Sequence, residues 1–310
     1  MNKNSNRLLE LIIIFIFLAL SAELIARGTE KLEAFMGQGM AGGIIMGLLT
    51  ALPETIFVIV ATLRKEPYVA LGSAIGGNVL LFTFGIGFLG IYFYLRWQKN
   101  LKINEDYSVE HKFLILTTIA LIAILIYGHL NIFTAIPLLA IYFYYATYRV
   151  RKFVREERDL DEKEILKAVI YLVVGAFILI LFSEPFVEQI VDLSKELGVP
   201  SIWLALIISP LAGELEETFS AIRLAHSSDS GGSLAIFDFV GSKIENATVL
   251  LAVIGIFSDI SLMPGVTELI ATVIANFIAI MILMDKKLGV KESVVLLVLY
   301  FFIATMTLYF

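Results

Sequence analysis

The chain contains no cysteine, which excludes disulfides and thiolate metal sites without locating a compartment. Histidine is nearly as scarce. His111, His129 and His226 all fall near the ends of predicted spans, so a histidine-rich zinc site is not expected. Charge is thin as well: 17% of residues are charged, where a soluble domain of this size carries about a quarter. There is no Ser/His or Cys/His pairing, no His-Glu-x-x-His helix, and no second aspartate within a span to partner Asp238. An intramembrane protease or metal-dependent hydrolase would lack its nucleophile and base. The reading is of a non-enzyme with no organic cofactor and no nucleic-acid partner.

What the chain does have is apolar length. Hydrophobic residues make up 59% of it, gathered in runs near the twenty residues that cross a hydrocarbon core. Ten spans are predicted, roughly 8–27, 39–63, 68–95, 112–128, 131–148, 166–190, 199–226, 233–257, 262–284 and 291–310. The first is too long for a cleavable signal, carries Glu10 and Glu23, and is followed by no small-x-small site. Lipid is the expected partner, and composition does not distinguish a monomer from a homo-oligomer.

Loop charges are lopsided. Arg27, Lys31, Arg96, Lys99, Lys102, Lys112, the cluster 149–167, Lys286, Lys287 and Lys291 fall on one side of a ten-span chain. The other side holds little beyond Lys3, Arg7, Arg64, Lys65 and Lys195. The positive-inside rule then puts both termini outside and the central loop in the cytoplasm.

That central loop, the charged stretch at 151–165, divides the chain into a half over 1–150 and a half over 166–310. Five spans per half is an odd number, so two homologous halves must lie upside down relative to each other, as in inverted-repeat transporters. The halves can be laid side by side. Leu52-Pro-Glu54-Thr55 pairs with Leu215-Glu-Glu217-Thr218, and Ala74-Ile-Gly-Gly77-Asn78-Val-Leu-Leu81 pairs with Phe239-Val-Gly-Ser242-Lys243-Ile-Glu245-Asn246.

Each half thus carries an acid beside a helix breaker. A carboxylate deep in a membrane is costly and marks a functional site by default. Pro53 frees carbonyls near residues 49–50, and Pro210 with Gly213 can open the partner helix before Glu217. A freed carbonyl in lipid needs a partner, and a cation is one. Glu54 and Glu217 with such carbonyls form a hard all-oxygen site of the kind Ca2+ prefers. On the eighth span Asp238, Ser242, Glu245 and Asn246 share one helical stripe, from which Lys243 is expected to point away. Lys243 is expected to pair with Glu216, and Glu23 with Arg27. The third span offers Ser73 and Asn78, while the Gly72-x-x-x-Gly76 spacing reads as close helix packing.

These residues resemble the calcium/cation antiporter superfamily. Gly47-Leu-Leu-Thr-Ala-Leu-Pro-Glu54 is similar to the Gly-Thr-Ser-Leu-Pro-Glu signature of sodium/calcium exchangers, and Gly213-Glu-Leu-Glu-Glu217 to the Gly-Asn-Ala-Ala-Glu element of calcium/proton exchangers. Val240-Gly-Ser-Lys-Ile-Glu-Asn246 resembles the Gly-Ser helix that follows. The resemblance implies an all-α exchanger fold with broken core helices. It also implies that Glu54 and Glu217 are central calcium ligands, with backbone oxygens of Thr50 and Gly213 and flanking ligands from Ser242 and Asn246.

Asn78 and Glu245 are further candidate ligands, and Glu214, Glu216, Asp238 and Ser73 are candidates for the coupling ion. Ala51, Gly77 and Leu81 stand where sodium exchangers place hydroxyls and amides, and acids crowd positions 214, 216 and 245. The expectation is a Ca2+/H+ antiporter working by alternating access in a prokaryotic plasma membrane, with the first and sixth spans as gates. A Na+/Ca2+ exchanger is the alternative, and a passive cation channel a more distant one.

Overall fold

The structure, a computed structural model, describes residues 3–35, 52–104, 106–152 and 162–309. It is helical apart from two short strand pairs. In chain order the helices are α1 (Lys3–Phe35), α2 (Leu52–Leu63), α3 (Pro67–Trp97), α4 (Ser108–Tyr127), α5 (Ile132–Lys152) and α6 (Glu162–Leu197). They continue as α7 (Ser201–Gly213), α8 (Leu215–Ser227), α9 (Gly231–Phe257), α10 (Val266–Asp285) and α11 (Val290–Tyr309). Seven of these are long and apolar enough to cross a membrane, and Leu52–Leu63, Ile132–Tyr148 and Ser201–Gly213 are shorter apolar helices. The predicted seventh span is two helices, α7 and α8, separated at Glu214. Of the predicted second span, only α2 lies within the described residues.

Sequence and solvent explain the layering. The most apolar stretches of α3 and α9 are each 83% buried, against 17% for α6, so α3 and α9 form the centre and α6 the rim. On α6 the outward residues are Leu166, Val173, Phe177, Ile180 and Leu181. Meanwhile Ser73, Asn78, Glu214, Glu217, Lys243, Glu245 and Asn246 are buried. Apolar outside and polar inside is the arrangement a lipid solvent favours.

Close approach at the centre depends on small residues. A Cβ on Gly72 would come within 2.3 Å of the Ile202 carbonyl oxygen, and one on Gly76 within 2.5 Å of that of Leu206. The Gly-x-x-x-Gly spacing is therefore the surface on which α3 meets α7. At the rim α1 packs along α6, where the Ser21 hydroxyl donates to the Gly175 carbonyl at 2.8 Å.

The strand pairs express the pseudo-symmetry of the halves. β1 (Leu101–Lys102) follows α3, β2 (His129–Leu130) follows α4, β3 (Ile260–Ser261) follows α9 and β4 (Lys287–Leu288) follows α10. β1 pairs antiparallel with β4, and β2 with β3. Exchanging the halves turns β1 into β3 and β4 into β2, so each pair maps onto the other. Both central helices also loosen into π-helical turns at matched places, Leu80–Gly85 in α3 and Asn246–Leu250 in α9.

Candidate cation site at the centre of the helices

Three features of the chain bring the acids together. Glu54 sits in the first turn of α2 beside Pro53, and Glu217 is the third residue of α8. Carboxylates are favoured there because unpaired N–H groups give a helix start a positive field. Between α7 and α8 the break is narrow. Glu214 (φ −89°, ψ 2°) donates its N–H to the Pro210 carbonyl at 2.9 Å, and its own carbonyl accepts the Thr218 N–H at 3.0 Å. One residue turns the chain while its backbone stays bonded, so the Glu214 side chain is delivered into the interior, where it is 1% exposed.

Lys243 lies among these acids. Its Nζ donates to Glu214 Oε1 at 2.5 Å and stands 3.7 Å from Glu217 Oε2. The lysine side chain is wholly buried. Asn246 Nδ2 donates to the same Glu214 oxygen at 3.3 Å, and the Ser242 hydroxyl donates to Glu217 Oε1. Gly77 provides the space, since a Cβ there would fall 2.0 Å from Glu214 Oε1 and 3.0 Å from Lys243 Nζ. Glu54 lies across from this group over Gly213, whose added Cβ would be 2.7 Å from Glu54 Oε1. The charges of Glu54, Glu214, Glu217 and Lys243 are within electrostatic reach of one another, and that of Glu245 reaches Glu54.

A cavity adjoins Glu54. It is lined by Ser73, Ser209, Gly213 and Glu214 on the polar side, and closed by Leu18 and Ala22 of α1 with Leu179 and Phe186 of α6. Its volume of about 30 Å³ has room for one ion or a pair of waters. The rim helices thus form the apolar wall of a polar chamber.

Several buried oxygens in this region accept no hydrogen bond among the described residues: Asn78 Oδ1, Ser209 Oγ, Glu214 Oε2, Glu217 Oε2 and Asn246 Oδ1. Buried polar atoms left open are costly, and carboxylate, amide and hydroxyl oxygens are the donors a hard cation takes. Among the described residues no three acidic or histidine side chains are gathered tightly enough to hold a metal by themselves. In this arrangement the acids converge on an ammonium.

Glu54, Glu214, Glu217, Ser242, Asn246 and Asn78 are brought to this centre, with Ser73 and Gly213 on its cavity. Glu245 is buried but accepts the Tyr142 hydroxyl at 3.0 Å. Asp238 is exposed. Thr50 lies outside the described residues, as does the side chain of Glu216. The expectation for Lys243 is corrected: it points into the site and pairs with Glu214 and Glu217. The stripe drawn through Asp238, Ser242, Glu245 and Asn246 was centred too far round the helix. The face that packs inward runs through 242, 246 and 243, which lie within about 100°.

Sequence reading also missed Ser209 and a polar chain behind Asn78. Asn78 Nδ2 donates to Asn276 Oδ1 at 2.9 Å, and Asn276 Nδ2 donates to the Thr118 hydroxyl at 3.2 Å. A lone asparagine within the ninth predicted span was the available signal.

Comparison with known proteins bears on this geometry. The family described as sodium/calcium exchanger protein matches residues 7–151 and 167–309, one segment in each half. The solved H+/Ca2+ exchanger CAX superposes with a TM-score of 0.82 at 20% identity, covering 97% of this chain and 85% of that one. Native YfkE gives 0.76 at 18%, covering 97% and 92%. The sodium-calcium exchanger NCX_Mj, soaked with Na+ and Sr2+, gives 0.64 at 17%, covering 95% and 96%. At these identities the likeness is one of fold. Among curated proteins none matches the sequence.

Proposed function

Since the chain belongs to the sodium/calcium exchanger family, we propose that it is a secondary active antiporter that exports Ca2+ in exchange for H+. The observation that carries this reading is the burial of Glu214 and Glu217 on one ammonium at a helix break, with Glu54 facing them across Gly213. Glu54 and Glu217 are the principal ligands, assisted by the open oxygens of Asn78, Asn246 and Ser209. Ser242 orients Glu217 by its hydrogen bond, and the Gly213 carbonyl ends α7 at the same place. Glu214 and Glu217 are buried beside each other with Glu54 facing them, and such crowded acids suit an exchange in which protons leave as the metal enters. The coupling ion is the finer part of the proposal. Na+ is the second reading, and the amide oxygens of Asn78 and Asn246 with the Ser209 hydroxyl are what favour it.

Access alternates by movement of α1 and α6 against the central helices. Support comes from their position: they pack on each other and supply the apolar wall of the cavity. Both termini lie outside and the charged central loop lies in the cytoplasm of a prokaryotic cell, as the loop charges indicate.

The test is Ca2+ flux into vesicles holding the purified protein, driven separately by proton and sodium gradients, with Glu54→Gln and Glu217→Gln beside the wild type. Proton-driven flux lost in both variants is the expected result. Flux driven by sodium alone would move the coupling ion to the second reading, and flux surviving both substitutions would overturn the site.

A further inference from the structure

Lys243 has no place in a site built only to hold a metal. A lysine buried completely is costly unless paired, and this one is paired with Glu217, which the proposed function assigns to calcium, and with Glu214 beside it. Its counterpart in the first half, Asn78, is neutral. An ammonium at that position meets carboxylate oxygens at 2.5 and 3.7 Å, so it bridges Glu214 and Glu217 where a divalent ion would bridge them.

We propose that the Lys243 ammonium is a cation built into the site, competing with the transported divalent ion for Glu214 and Glu217 and setting the net charge that ion must balance. The inference rests on the reading of this cluster as the transport site. One ammonium offsets one carboxylate charge, so an arriving divalent ion meets a site one unit less negative than the acids alone would make it. Glu245 accepts the Tyr142 hydroxyl, and its charge is the same in every Lys243 variant. The four-carbon lysine stem is flexible, so the ammonium can withdraw from Glu214 as a metal arrives without moving the α9 backbone. With no metal present, the ammonium keeps the acids together and spares the interior an uncompensated charge. In this scheme Glu214 changes partner, from Lys243 to the metal, through the Oε2 atom that is now open.

A purely structural ion pair joining α8 to α9 makes the opposite prediction about binding. Ca2+ affinity is measured by calorimetry on the full-length protein in detergent, for the wild type, Glu54→Gln, Lys243→Met, Lys243→Arg and Glu214→Gln. Removing a neighbouring positive charge from a buried site makes Lys243→Met bind Ca2+ about tenfold or more tightly, whereas Lys243→Arg, which keeps the charge, gains nothing. Preference for Tb3+ over Ca2+ rises in Lys243→Met, because the site then carries an extra negative charge.

Lys243→Met leaves acids unpaired and is at risk of misfolding, so a double variant provides the second arm. Glu214→Gln alone weakens binding, and Glu214→Gln with Lys243→Met, which leaves no unpaired charge from this pair, restores it to near the wild-type value. Binding by Lys243→Met no tighter than wild type overturns the inference, as does a double variant no better than Glu214→Gln. Glu54→Gln separates the two levels. If Ca2+ binding is indifferent to Glu54, the site assignment fails and this inference with it. If binding depends on Glu54 but not on the Lys243 charge, only this inference fails.

Discussion

At matched positions the two halves contribute different kinds of residue to one centre. The second half supplies Glu214, Glu217, Ser242, Lys243 and Asn246, while the first supplies Glu54, Asn78 and, at the position aligned with Ser242, Gly77. A side chain at that position would push Glu214, Lys243 and Asn246 aside, because Glu214 Oε1 occupies the place where its Cβ would be. One copy has accumulated charged side chains and the other has given up volume to receive them. The two halves keep a common backbone pattern while their side chains have become complementary rather than alike.

The sharpest way to break this comparison is Gly77→Val. It puts a branched side chain into the Glu214, Lys243 and Asn246 cluster, and Ca2+ uptake by vesicles should fall roughly 100-fold, as misplaced reacting groups do. Gly77→Ser is the companion, since it restores the residue of the other half. Full uptake in Gly77→Ser would show that the exchange of volume for charge does not matter. Gly213→Ala is milder, because its Cβ meets the free end of the Glu54 side chain, and roughly a tenfold loss of uptake is expected.

Two further substitutions probe the frame. Gly72→Ala drives a methyl group against the Ile202 carbonyl, and thermal unfolding in detergent should register a loss of about 1–3 kcal/mol. Tyr142→Phe removes the donor to Glu245 and should cost about 1–2 kcal/mol, while Ca2+ affinity stays near the wild-type value if Glu245 is outside the site. The smallest effect belongs to Arg27→Gln. Its ion pair with Glu23 at 2.7 Å is exposed, so the change in stability should be below about 1 kcal/mol.

Much of this was legible in the chain because it was written twice. The acid beside a breaker, the glycine-bearing helix after it and the even division of apolar runs gave the exchanger fold, and Glu54 and Glu217 stood out as repeated costs. The Glu23–Arg27 pair followed from helical spacing alone. Lys243 was misread because an angular stripe describes where a side chain leaves the helix, not where a flexible stem of four carbons ends. Asp238 failed in the other direction. It shares the stripe but lies one to two turns before the buried cluster and is exposed. Glu214 looked like a secondary acid until the narrow break turned its side chain inward, and a backbone bonded on both sides of a kink leaves no mark in composition. Asn276 and Thr118 act through contacts between helices far apart in sequence, which no local period can reveal.

The strand pairs carry a consequence for biosynthesis. Leu101 finds its partner in Leu288, and His129 finds its own in Ser261, so loops made early must wait for loops made late. The amino-terminal half cannot close either end while it is the only part of the chain to have left the ribosome. Its polar centre is equally incomplete until Glu214 and Lys243 arrive. Insertion into the bilayer and acquisition of the final packing are therefore separate events in time, and chains truncated before Leu288 should be recognised by membrane quality control as unfinished.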